Sequence, residues 1–169
     1  MQIFLVTGEG LDDSTTVRTI HNFFATVPFF ETGTDCQTSR LSIDISDTLP
    51  ASLEETNFSK KPLLIRAQYM QNYLREHDAI VILLNPKPGT RRMFDRIMQD
   101  GDARNKIACV KDADAAIAAA LSMMACRATR NHTIIETPGL RLDGVRCLPP
   151  YATFINENTL VATPTEPER

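Results

Sequence analysis

The chain has 169 residues, enough for one domain of ordinary size that buries most of the surface its unfolded form exposes. Hydrophobic residues make up 43% and charged residues 23%, proportions that argue against wholesale disorder. A net charge of −3, with acids and bases mixed along the chain, argues against general nucleic-acid binding, which needs a basic excess or stripe.

The opening MQIFLVTGEG carries no positive n-region, and its apolar run covers only Ile3–Val6, so it reads as neither a signal peptide nor a membrane span. That run ends in Thr7-Gly8 and predicts a strand buried on both faces. Asp12, Asp13 and Ser14 offer helix N-caps, Val17, Ile20, Phe24 and Val27 follow at helical spacing, and Pro28 closes the helix. Pro28–Arg40 is turn-rich and yields no assignment. Leu41, Ile43 and Ile45 alternate with polar residues, which predicts a half-buried strand. Asp47–Lys61, polar and carrying Pro50, is expected to be a loop.

Pro62 can start a helix in which Leu63, Ala67, Met70 and Leu74 form one stripe, with Arg66, Tyr69 and Tyr73 on an adjoining face. Ala79–Leu84 is the clearest buried strand. It runs through Asn85-Pro86-Lys87-Pro88-Gly89-Thr90 into a helix with Met93, Phe94, Ile97 and Met98 on one side and Gly101 as its stop. Lys106–Val110 is the next strand, and Asp112–Arg127 an alanine-rich helix capped by Asp112. Thr133–Glu136, Leu140–Val145, Thr153–Asn156 and Thr159–Thr163 read as short strands between turns. The alternation predicts an α/β protein: a Rossmann-like three-layer sandwich with a mainly parallel sheet and a small C-terminal β extension. Residues 1–130 would form the Rossmann-like core, 131–163 a β extension packed on it, and 164–169 a frayed tail.

The four cysteines are widely separated, with no C-x-x-C pair and no adjacent histidine. Zinc spacing is absent, no metal site is expected, and the cysteines are expected to be reduced in a cytoplasmic protein. His21, His77 and His132 lack ligand spacing and read as surface or packed residues. A P-loop motif is absent. Gly8 and Gly10 form a G-x-G, but Asp13 stands at the third glycine of the dinucleotide fingerprint.

The chemistry concentrates around Pro88-Gly89-Thr90. A strand-end loop with glycine at a helix start leaves backbone N–H groups unpaired, and with the helix dipole they favour a phosphate or carboxylate. Gly89 permits close approach, Thr90 adds a hydroxyl, and Arg91, Arg92 and Lys87 add positive charge. Glu9, Asp12 and Asp13 could serve as ligands for a ribose or metal, and a helix cap explains Asp12 and Asp13 more simply. Tyr69 and Tyr73, one turn apart, either pack in the core or stack on a base.

The run Arg66-Ala67-Gln68-Tyr69-Met70 on a helix, then Asp78 opening an apolar strand, then Pro-x-Pro-Gly-Thr before another helix, resembles the SLOG superfamily. That group includes the Lonely Guy phosphoribohydrolases, the DNA-processing protein A fold and the YspA-like proteins. Val6-Thr7-Gly8 followed by Asp12-Asp13 is similar to the YspA-like opening. The resemblance covers roughly Ile3–Val17 and Arg66–Val110. It implies that Gly8, Arg66, Gly89, Thr90 and Arg91 hold the phosphate of a nucleotide-like ligand, with no cofactor. For an enzyme it implies cleavage or transfer of an N-glycosidic bond, with Glu9 or Asp95 as the carboxylate base. Met93 stands where the family's hydrolases carry a glutamate, and their middle glycine motif is missing unless Thr32-Gly33-Thr34-Asp35 is its remnant. Those departures suit a protein that binds without turnover, or a non-catalytic interaction protein whose β extension meets a partner or a second copy in a homodimer.

Overall fold

The computed structural model describes residues 1–8, 14–47, 50, 57–99, 101 and 103–142. Four strands form a parallel sheet in the order β4-β1-β5-β6, where β1 is Gln2–Thr7, β4 Asp44–Ser46, β5 Ala79–Leu84 and β6 Ile107–Val110. Alternate residues of the central strands enter two separate cores. Ile3, Leu5, Ile80, Ile82, Leu84, Ala108 and Val110 pack beneath helices α1 (Ser14–Thr26) and α4 (Ala113–Asn131). Phe4, Ala79, Val81, Leu83 and Ile107 pack on the opposite face beneath α2 (Leu63–Glu76) and α3 (Pro88–Met98). Every residue of β5 is buried, as a continuous apolar run in a doubly covered parallel sheet requires. The architecture is the expected α/β Rossmann-like sandwich.

A second, antiparallel sheet has the order β3-β2-β7-β8, with β2 Phe30–Thr32, β3 Thr38–Arg40, β7 Ile134–Thr137 and β8 Leu140–Arg141. The unassigned stretch before Leu41 is therefore a hairpin, and the late strands pair with it in the register Phe30↔Glu136 and Thr32↔Ile134. Ile135 and Leu142 are fully buried in the core beneath α1 and α4, so this sheet shares the main core. The expected strands Thr153–Asn156 and Thr159–Thr163 and the tail lie outside the described residues.

Several boundaries differ from expectation: β6 begins at Ile107 and β7 spans Ile134–Thr137, each one residue later than expected. Helix α4 continues past Arg127 to Asn131 and ends on His132 in the left-handed region, φ 54, whose neighbour Thr133 donates its N–H to Ala128 O at 2.9 Å. Helix α3 stops at Met98, before Gly101. Leu41 and Ile43 precede β4 and only pack against the core. Asp112 caps α4 as expected, accepting the Ala115 N–H at 2.8 Å. Cys126 is disulfide-bonded, so the expectation of four reduced thiols fails; Cys36 and Cys109 are free.

The amino end of the parallel sheet is closed by charge. Arg127 on α4 donates Nε to Asp78 Oδ1 at 2.7 Å and Nη2 to Asp78 Oδ2 at 2.8 Å, and its Nη1 donates to Glu31 of β2. Thr133 Oγ1 adds a hydrogen bond to Glu31, and the N-terminal ammonium lies 3.7 Å from Asp78. Buried Lys106 donates Nζ to the Leu74 and His77 carbonyls at the end of α2, where a cation favours the helix dipole. Burial and the neighbouring Arg130 push the Lys106 ammonium below its usual pKa.

Candidate functional site at the carboxyl end of the sheet

The strand order creates a switch point. The chain passes from β1 outward to β4, then returns over β1 to β5 and continues to β6. Helix α1 covers one face and α2 the other, so connections diverge at the carboxyl ends of β1 and β5. In open α/β sheets that crevice is where ligands bind.

Gly8 lies at this crevice, but its glycine has an internal cause. A Cβ there would sit 2.1 Å from the Asn85 carbonyl oxygen, so the two strand ends approach each other too closely for any side chain. Gly8 donates its N–H to Leu84 O at 3.3 Å, and Asn85, at φ 45, donates to Val110 O at 3.1 Å and through Nδ2 to Lys111 O at 3.2 Å. The ends of β1, β5 and β6 are thus laced together, and Gly8 is explained by the backbone without a ligand.

Gly89 has no such internal cause. Its φ is not positive, and a Cβ would meet nothing within 4 Å. Lys87 is the N-cap of α3, without a side-chain cap, and Pro88 occupies the first helical position. The first backbone bond of the helix is Arg91 N–H to Lys87 O at 2.8 Å, and the Gly89 and Thr90 N–H groups have no acceptor among the described residues. The helix therefore presents two free amides, and the Thr90 side chain beside them is partly exposed.

Helix α2 packs against α3 and also begins at the carboxyl end of the sheet. Arg66 sits in its first turns, where its N–H donates to Pro62 O at 3.0 Å. The Arg66 Nε is buried and has no hydrogen-bond partner. An unpaired guanidinium N–H in a site shielded from water is costly, and a native structure rarely leaves one without a reason.

The other expected residues fall elsewhere. Arg91 turns toward β6: Nε donates to Asp95 Oδ1 and Nη1 to Cys109 Sγ, each at 3.0 Å. The Asp95 pairing holds the Arg91 guanidinium above its ordinary pKa, and burial pushes the Cys109 thiol up. Asp95 is therefore occupied as the ion-pair partner of Arg91, one helical turn away. Arg92 reaches back to the Pro88 carbonyl at 3.4 Å. Glu9, Asp12 and Asp13 lie outside the described residues. Tyr73 resolves to core: it is 8% exposed, its hydroxyl donates to Gln2 Oε1 at 2.9 Å, and its ring stacks on His77 with centroids 4.0 Å apart. Tyr69 is the exposed one, with Lys61 Nζ 5.7 Å from its ring centroid. Asp78, which opens β5, lies at the opposite end of the sheet in the Arg127 cluster.

Sequence reasoning missed the Asp95–Arg91–Cys109 contact. The Arg91/Asp95 spacing of four residues was the available signal, since such helical pairs meet on one face. Among the described residues no group of three His, Cys, Asp or Glu could hold a metal, and no helix is long and apolar enough to cross a membrane. No family model, curated protein or solved structure matches the chain.

Proposed function

We infer that the carboxyl-end crevice binds the phosphate of a nucleotide or nucleoside monophosphate, and that the protein is a divergent SLOG-like nucleotide binder. The observation that carries this reading is the buried, unpartnered Arg66 Nε on α2, the helix that packs against α3, whose start has two amides without acceptors among the described residues. Phosphate supplies what that arrangement lacks: oxygens for the Gly89 and Thr90 N–H groups and a bidentate acceptor for the guanidinium. The open space over Gly89 supports the same reading, because it leaves room for a ligand atom against the backbone. Tyr69, exposed on α2 three residues from Arg66, is the aromatic surface available to a base.

Binding without turnover is the better-supported form. Asp95 already pairs with Arg91, and Met93, where the family's hydrolases carry a glutamate, is buried under α3. Incubation with nucleoside monophosphates and chromatography for free base tests this form: saturable calorimetric binding with no base release is expected. Arg66→Ala and Thr90→Val should each weaken binding by about tenfold while the thermal midpoint stays nearly fixed. Heatless titrations across a nucleotide panel would remove the proposal.

A further inference from the structure

A cleft of about 400 Å³ lies at the other end of the molecule, where the end of α1 meets the chain between β3 and β4. Its size falls in the range of small-molecule sites, about 300–1,000 Å³. Helix α1 follows β1 and runs back across the sheet, so this cleft faces away from the Gly89-Thr90 crevice and is independent of it.

The lining divides by chemistry. Phe24 and Phe29, 7% and 1% exposed, form an aromatic floor with ring centroids 6.1 Å apart, and Val27, Leu41 and Ile43 extend the apolar wall. Arg40, at the end of the edge strand β3, also lines the cleft. Its side chain forms no ion pair or hydrogen bond with any described residue, and it is the one charged side chain among the lining residues. The Ser42 and Ile43 N–H groups, in the segment that lines the cleft, likewise have no acceptor among the described residues. An apolar floor with an unneutralised guanidinium and free amides at its rim is complementary to a ligand with an apolar body and one anionic head.

We propose that this cleft binds a small monocarboxylate with an aliphatic or aryl body, its carboxylate on Arg40 and its body against Phe24 and Phe29. A planar carboxylate matches the guanidinium fork, and the body covers the partly exposed Val27, Leu41 and Ile43 that wall the aromatic floor. Neutral molecules of the same shape gain only the second contribution.

The test is calorimetric titration of the full chain with octanoate, 3-phenylpropionate and 1-octanol, repeated on Arg40→Gln and Ala25→Trp. Arg40 and Ala25 are exposed, so both substitutions should leave folding intact. Saturable binding of either acid is expected, and the preferred one tells the aliphatic body from the aromatic one. Octanol on the parent, and the acid on Arg40→Gln, should bind about tenfold more weakly. The Ala25→Trp indole should fill the cleft and abolish binding while nucleotide binding is unchanged. No saturation by either acid, or equal affinity of the acid for Arg40→Gln and the parent, overturns the proposal. Should Ala25→Trp fail to fold, the octanol and Arg40→Gln comparisons still decide it.

Discussion

Replacing Arg127 by alanine removes the guanidinium that joins the start of β5 to the second sheet. The Arg127 side chain is 12% exposed, its partners Glu31 and Asp78 21% and 46%. Deleting one partner of a fully buried pair costs about 3–5 kcal/mol, because the remaining charge is stranded in a poor solvent. Water reaches nearly half of Asp78, so that figure must be discounted, and about 2–3 kcal/mol is expected. For a chain of this size the thermal midpoint should fall by roughly 4–12 °C. The pH dependence is the sharper test. Burial alone would raise the Asp78 carboxyl, but the hydrogen bonds and charge of Arg127, with the N-terminal ammonium and Lys106, hold it below its ordinary value. A carboxylate depressed on folding contributes stability above its unfolded pKa, about 3.9, and loses it as pH falls through the folded value. The gap between parent and Arg127→Ala should therefore be full at pH 7 and narrow below about pH 4. Urea denaturation at both pH values measures it. A gap under about 0.5 kcal/mol at pH 7, or one that does not narrow in acid, would refute the clamp.

Gly8→Ala should cost about 3 kcal/mol or more, since its Cβ would lie 2.1 Å from the Asn85 backbone oxygen; an unchanged denaturation midpoint would show that the strand ends are not held together there. Gly89→Ala meets no obstacle, so stability should hold within about 0.5 kcal/mol while nucleotide affinity falls; a large loss of stability would contradict the open helix start. Iodoacetamide at pH 7.5 should label exposed Cys36 first and Cys109 slowly, because burial raises the Cys109 thiol despite the Arg91 guanidinium; equal labelling rates by peptide mass spectrometry would count against that placement.

The parallel layer was legible because β1, β5 and β6 are short apolar runs and each helix carries a 3.6-residue stripe. Ala79–Leu84 and the Met70/Leu74 face needed no tertiary information. The β2–β3 hairpin was not legible. Thr38, Ser39 and Arg40 are all exposed, and β2 finds its other partner in β7, about a hundred residues away, so no local pattern marks either strand. Asp78 shows the same limit from the chemical side: its partners Arg127 and the N-terminal ammonium lie 49 and 77 positions from it in sequence, too far for any local pattern to reveal. At the site, the Pro-Gly-Thr helix start was readable as chemistry. Gly8 was readable as a glycine, yet its cause was the Asn85 carbonyl, a contact between strand ends that sequence spacing does not encode.

The two ends of the parallel sheet solve opposite problems. At the amino end Arg127, Asp78, Glu31, the N-terminal ammonium and Lys106 each find a partner within the chain, as stability alone demands. At the carboxyl end the backbone is laced tightly through Gly8 and Asn85, so looseness does not explain what is left unpaired there. Beside that rigid edge stand two helix amides without acceptors and one buried guanidinium nitrogen without a partner. The other unpaired buried side-chain atom among the described residues is the Asn105 carbonyl oxygen, a neutral acceptor, whereas the Arg66 Nε belongs to a charged guanidinium on a partly exposed side chain. A fold that served only itself would gain by replacing Arg66 with leucine or methionine. Arg66→Met should accordingly raise the denaturation midpoint while weakening nucleotide binding about tenfold, the trade expected of a residue kept for a ligand. A variant that loses stability instead would place Arg66 in the packing and leave the crevice without its anion clamp.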